Sequence, residues 1–399
     1  MARTLIRGLW AACVAAAVSF AFAVTNLAQQ RGRGETPFPG GTNPDGSLRP
    51  SAPLTRLFTQ DAYTEYSILE PGSASFRIRF LTEEMRAGAT ELVNATRGGS
   101  EGSDIAVYDP RTGKPMPFTY EQDKNDPETH AIHAKLPIPV PTGGIGRALI
   151  YKTYKDPRTY SRHGDDIVWV RSLSGYRLGV LLPKGFAFLS SNVAAQLSTT
   201  ADGRLKLAFA NPSGQSNPVT IHARRTSATF TPSSYQDMFL DDVKTIYDLD
   251  QPETHRIRVD QAYSDNRIGS RPRLELASQL HLRELKVVDL DTAHELPITQ
   301  DGSATFARLE LPIANDQQSA HLRITGVLED PRYTLDRGDL VFDRALRGLR
   351  NTVLLPPGWD VSSVSQSATL GMYEGRQFVA LINLNAENKY VVQIRARKH

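Results

Sequence analysis

The chain has 399 residues, with 46 Lys and Arg against 43 Asp and Glu, 9 His and a single Cys. This near-neutral balance, with no basic block of five or more residues, argues against a nucleic-acid partner. Beyond the lone Cys13 there is no thiol, which excludes disulfides, thiol catalysis and cysteine-ligated zinc from the rest of the chain.

In chain order, the first predicted element is a secretory signal over residues 1–28. Arg3 and Arg7 form a basic start, Gly8 to Val24 is uncharged and apolar, and Ala21-Phe22-Ala23 fits the small-x-small cleavage rule. A cut after Ala28 is the alternative. The apolar run is about 17 residues, the lower edge of a membrane span, so an uncleaved anchor competes with cleavage. Once cleaved, the chain is expected to carry no membrane span and a formal charge of about +1. The expected location is the periplasm, cell envelope or extracellular space. Residues 29–61, rich in Gly, Pro, Arg, Asn and Ser, read as a flexible tether.

Two related segments follow. Asp166–Phe186 and Asp339–Trp359 align at a constant offset of 173, with eleven of 21 positions identical. Flanking matches extend the likeness, so we expect one β repeat over 62–232 and a second over 243–399. The period far exceeds that of solenoid repeats, which makes these domain-sized units. Each is expected to split into two sub-domains near Gln122–His130 and near Gln300–Ser303. Tyr235, Met238, Phe239, Val243 and Ile246 share one helical face, predicting a connecting helix over 233–246.

Within each repeat the pattern is β. Leu205 to Phe209 alternates behind Asp202-Gly203, and Phe378 to Ile382 follows Glu374-Gly375, so both are expected to form type I′ hairpins. Arg177–Leu182 and Arg350–Leu355 read as strands stopped by Pro183 and Pro356. Short strands with Gly, Pro, Asn and Asp punctuation predict an all-β chain built from two β-sandwich units.

Chemistry is harder to find. No G-x-S-x-G elbow, P-loop or dinucleotide fingerprint occurs, and His294-Glu295 is followed by Leu-Pro-Ile rather than a second His. No catalytic residue and no cofactor is expected. His130, His133 and His163 could in principle ligate zinc, but Phe306 faces His133 in the second repeat, and no metal site is expected. The alternating pairs Asp289/Asp291 and Asp248/Asp250 read as turn and strand-edge carboxylates. Asp156 recurs as Asp330 and Arg171 as Arg344, which predicts an Arg–Asp pair tying a strand to a loop in each unit. Tyr151 faces Thr325 in that comparison and is a candidate ligand-binding residue, and Tyr160 is placed in a loop. With His163, Asp165 and Asp166 beside Tyr160, the segment Tyr160–Asp166 is the predicted ligand-binding loop, because loops on a rigid scaffold carry most sites.

The stretches RGGSEGSD with VYDPRTG (residues 97–113), KTYKDPR (152–158) and LLPKGF followed by SSNV (181–193) resemble a family of secreted, β-rich proteins of environmental bacteria with no assigned activity. The strand end Tyr154-Lys155-Asp156-Pro157 resembles, more loosely, one in the β-rich N-terminal domains of aminopeptidases of the M1 and M61 type. No zinc-binding helix follows here, so the resemblance implies a fold and not peptidase activity. The function expected is a non-catalytic binding or scaffold protein of the cell envelope, with a glycan or protein partner. The alternative is a polysaccharide-acting hydrolase with a loop-borne Asp/Glu pair, roughly 5–10 Å apart across a cleft.

Overall fold

Runs of alternating apolar and polar residues, broken by turn formers, suit pleated sheets with one buried face. The computed structural model describes residues 43–48, 53–54, 61–96, 101–122, 129–211, 216–233, 239–266, 273–276, 282–384 and 390–398. The chain forms β1 (Pro53–Leu54), β2 (Ala62–Ile68), β3 (Ser75–Glu84), β4 (Glu91–Ala95) and β5 (Glu101–Tyr108). Next come β6 (Phe118–Gln122), β7 (His130–Lys135), β8 (Gly146–Lys155), β9 (Tyr160–His163) and β10 (Asp166–Leu173). The first unit closes with β11 (Arg177–Leu181), β12 (Phe186–Ser191), β13 (Gln196–Thr199), β14 (Leu205–Ala210) and β15 (Asn217–Arg225). The second begins with β16 (Val243–Leu249), β17 (Arg256–Asp265), β18 (Arg273–Leu276), β19 (Arg283–Asp289) and β20 (His294–Glu295). It continues through β21 (Ile298–Asp301), β22 (Ala304–Arg308), β23 (Ala320–Glu329), β24 (Tyr333–Asp336) and β25 (Asp339–Leu346). It ends with β26 (Arg350–Leu354), β27 (Trp359–Val364), β28 (Thr369–Tyr373), β29 (Arg376–Ile382) and β30 (Tyr390–Lys398).

The fold is all-β. One long sheet has the order β13-β14-β11-β2-β3-β8-β5; the other runs β28-β29-β26-β16-β17-β23-β19, with β1 and β20 added at its edges. Two four-stranded sheets, β12-β15-β10-β9 and β27-β30-β25-β24, share one order. Two three-stranded sheets, β4-β7-β6 and β18-β22-β21, share another. In each long sheet the inner pair is parallel, β2 with β11 and β16 with β26.

Each long sheet is covered on one face by both of its smaller partners. In the first unit Phe76, Ile78 and Leu178 meet Trp169, Val219 and Ile221 of the four-stranded sheet. Farther along the same face, Val107, Ala148 and Ile150 meet Leu92, Ile132 and Ala134 of the three-stranded sheet. Phe80 touches both clusters. The second unit repeats the arrangement with Ile257, Val259 and Phe342, and with Val287, Ile324 and Ala307. Burial of each large aliphatic or phenyl group contributes about 1.5–3 kcal/mol, the main source of stability for a body without disulfides.

The opposite face of the first long sheet meets the second unit. Tyr63, Leu81, Leu149 and Ala208 pack there with Phe239 and Leu349. Two backbone hydrogen bonds cross the junction reciprocally. The Ser319 N–H donates to the Pro110 carbonyl (2.7 Å), and the Ile145 N–H donates to the Leu290 carbonyl (2.8 Å). Ile145 and Ser319 immediately precede β8 and β23, which hold corresponding places in the two sheets.

Three expectations are corrected. The predicted connecting helix is not formed: residues 239–240 are a turn and 243–249 are β16, while 234–238 lie outside the described residues. The described part of the predicted tether is docked. The Leu48 N–H donates to the Val361 carbonyl (2.6 Å), the Asn43 amide to Asp360 (2.8 Å), and β1 pairs with β28. Of the two predicted type I′ turns, Glu374-Gly375 has positive φ at both positions, 49° and 72°. In the first unit only Gly203 does (81°), because Thr200 closes a longer loop onto Arg204. The signal segment lies outside the described residues. β6 and β7, on either side of 123–128, are neighbours in one sheet.

Candidate functional site

The predicted loop is not a free platform. Tyr160 opens β9 and is 1% exposed; its hydroxyl donates to the Leu69 carbonyl at 2.8 Å. Burial pushes its phenol pKa up. Tyr333 makes the same bond to Asp250 in the second unit. Tyr160 is thus a core anchor, and its recurrence as Tyr333 was the signal for that role. His163 ends β9 with its ring nitrogen 3.2 Å from the Ser161 hydroxyl. Asp165 is exposed in the following turn, and Asp166 is paired with Arg224 (2.5 Å). Tyr151 stands on the junction face of β8, edge-on to Tyr108 at 5.9 Å and under Arg77. It lines a cleft of about 490 Å³ together with Asn266 and Gln317 of the second unit. The five predicted residues therefore do not converge.

The histidines do not converge either. His130 stacks on Tyr120, His133 approaches Glu91 (3.3 Å), and His163 is in another sheet. Among the described residues no group of three His, Cys, Asp or Glu is placed to hold a metal. Asp289 accepts the Asp291 N–H (2.9 Å), and Asp291 pairs with Arg147 (2.7 Å), a buried turn-to-strand contact. The predicted Arg–Asp pairs form in both units: Arg171 reaches Asp156 at 3.5 Å, and Arg344 contacts Asp330.

A different place has the form of a site. The four-stranded and three-stranded sheets of the first unit leave a gap over their long sheet, a cleft of about 990 Å³. That is the size of a small-ligand pocket. Its floor comes from alternate residues of β2, β3 and β8, which strand pleating aims at one face. Thr64, Tyr66, Phe80 and Thr82 lie there, and Ser174 and Tyr176 form part of the wall after β10. Among the described residues two cations line it, Lys152 and Arg171, and no Asp or Glu does. Lys152 is buried; its Nζ donates to the Asn94 Oδ1 (2.7 Å) and stands 5.2 Å from the centre of the Tyr154 ring. Burial, and after it the Arg171 guanidinium, pull its amine pKa down to about 8. Sequence reasoning passed over Lys152, although it shares its face with Ala148, Ile150 and Tyr154 at a spacing of two.

A second group of perturbed residues lies in the junction. Arg177 of the first unit bonds Asp61 (2.8 Å) and faces Asp242 (3.8 Å). Arg350 of the second unit bonds Asp61 (2.8 Å) and Asp242. Despite burial, Arg177 and Arg350 hold the Asp61 carboxyl far below the usual range. Glu83 accepts the Asp61 N–H (3.1 Å) and faces His321 Nδ1 (3.2 Å). Burial and then Asp61 push the Glu83 carboxyl up to about 8, and burial and then Arg147 push His321 down to about 3. These side chains are packed between the units, and Glu83 points to the face of β3 opposite Thr82 of the cleft. We read them as the electrostatic centre of the junction.

No protein-family model matches the sequence, and no curated protein matches it. Among the described residues no helix is long and apolar enough to cross a membrane.

Proposed function

We propose that the chain is an exported, non-catalytic binding protein of the cell envelope, built from two copies of one β unit, whose first copy holds a saccharide in the cleft over β2, β3 and β8. The observation that carries this reading is the lining of that cleft. The rings of Tyr66 and Phe80 offer apolar faces on which sugar rings stack. Thr64, Thr82, Ser174 and Asn94 offer hydroxyls and an amide that match sugar hydroxyls. The hydrolase alternative requires two facing carboxylates, and the described residues lining this cleft supply none.

A thermal-shift screen against envelope glycans and oligosaccharides tests it. A ligand of the native state raises the unfolding midpoint by mass action, by about 2.7 kcal/mol of stability at a hundredfold excess over Kd. We expect a saccharide to raise the midpoint of the protein and to leave Ser174→Trp unmoved. Ser174 is exposed at the cleft wall, so the indole obstructs the cleft without disturbing a core position. A panel that moves neither protein would overturn the saccharide reading.

A further inference from the structure

The two units differ at one pair of positions that bears directly on the cleft. Strand registers place Gly326 where the first unit has Lys152, and Leu282 where it has Gly102. A Cβ on Gly326 would lie 2.9 Å from the Leu282 Cβ and from the Arg283 carbonyl. In the second unit, then, a bare backbone accepts a leucine that packs into both of its apolar clusters. In the first unit the exchange is reversed. Gly102 stands at the leucine's place, where a Cβ would lie 2.9 Å from the Tyr120 hydroxyl, and the Lys152 side chain stands at the place of Gly326 and lines the cleft.

This exchange, taken with the saccharide reading of the cleft on which it rests, leads us to propose that the ligand is a uronate, a saccharide carrying one carboxylate, seated against Lys152. The Arg171–Asp156 pair recurs as Arg344–Asp330 in the unit whose space is filled, so it belongs to the framework. Lys152 has no such counterpart. It is 5% exposed, and Asn94 takes one of its three donor directions. A buried ammonium is costly unless an anion pairs with it, and among the described residues the lining supplies none, so a ligand carboxylate completes the pair. One uncompensated cation matches one negative charge. A dianionic phosphate would bring a second buried charge, and the other cation of the lining, Arg171, is already paired with Asp156. An amine pKa near 8 leaves Lys152 largely protonated at neutral pH, ready for an anion.

Isothermal titration at pH 6.5 with an oligogalacturonate and with its neutral, fully methyl-esterified form decides the matter. We expect the acid to bind at least tenfold more tightly than the ester. Lys152→Met should abolish that preference, so that acid and ester bind alike. Asn94→Asp, which sets a carboxylate at the same 2.7 Å contact, should weaken the acid by a similar factor. This second variant keeps side-chain volume, so it stands if Lys152→Met folds poorly. Equal affinities for acid and ester, both lost in Ser174→Trp, would overturn the uronate proposal and leave the saccharide reading intact. Binding of neither, with other saccharides bound in the thermal screen, would also overturn the uronate proposal alone. Binding of no saccharide by any method would overturn both.

Discussion

Glu83 and His321 face each other across the junction as two uncharged groups at neutral pH, one carboxylic acid and one imidazole, with the Glu83 oxygen 3.2 Å from Nδ1 of His321. Their effect on stability has a definite sign. Glu83 has a folded pKa of about 8, above its ordinary 4.5, so its contribution is full below 4.5 and is lost as pH rises through 8. His321 has a folded pKa of about 3, below 6.5, so its contribution is full above 6.5 and is lost as pH falls toward 3. The two slopes oppose each other between 4.5 and 6.5. The pair therefore favours mildly acidic conditions and loses stability between 6.5 and 8. Arg147, Arg177, Arg350, Lys244 and Asp61 are the charged groups around it. Glu83→Gln keeps the neutral hydrogen-bonding shape, and urea midpoints from pH 6 to 8.5 should fall less for it than for the parent. Parallel curves would show that Glu83 does not titrate there. None of this was legible in the sequence, because Glu83 and His321 lie in different units and meet only when the junction forms. Lys152 was partly legible. A lysine on the apolar face of a strand pattern is a buried charge, and a count of alternate residues would have marked it.

At the scale of elements, β16 shows why a helix was expected where a strand forms. Residues 243–249 are buried on both faces, Thr245, Tyr247 and Leu249 on one and Lys244 and Ile246 on the other. A central strand covered on both sides loses its period of two, and its apolar residues then fall on helical spacings by accident. β11, β14 and β26 are as deeply buried, and they were read from sequence by the turn formers beside them, Pro183, Asp202-Gly203 and Pro356. The hairpin at Glu374-Gly375 was legible for its glycine, the one residue that accepts positive φ without cost. The filled cleft of the second unit makes its own prediction. Gly326→Ala pushes a methyl against Leu282 and a backbone carbonyl, and should cost about 1–3 kcal/mol in a urea titration. An unchanged midpoint would mean that β23 and the segment before β19 are not packed so closely.

At the scale of the molecule, two sets of sheets with matching strand orders are joined side by side. The Asp61, Arg177, Asp242 and Arg350 quartet takes one Asp–Arg pair from each unit, and each arginine faces both aspartates. The reciprocal hydrogen bonds from Ile145 and Ser319 have the same exchange character, as expected of a self-complementary interface. Removing one member of such a set leaves a buried charge without a partner, which makes the junction stiff as well as specific. The units are nonetheless unequal, since Leu282 packs against both apolar clusters of the second, and the first has Lys152 in a cleft of about 990 Å³. The claim that binding belongs to the first unit alone is tested most directly by hydrogen–deuterium exchange with and without oligogalacturonate. The account predicts added protection in β2, β4 and β8 and in the segment after β10, with none in β16, β18, β23 or the segment after β25. Equal protection in both units, or protection confined to residues 160–166, would contradict it.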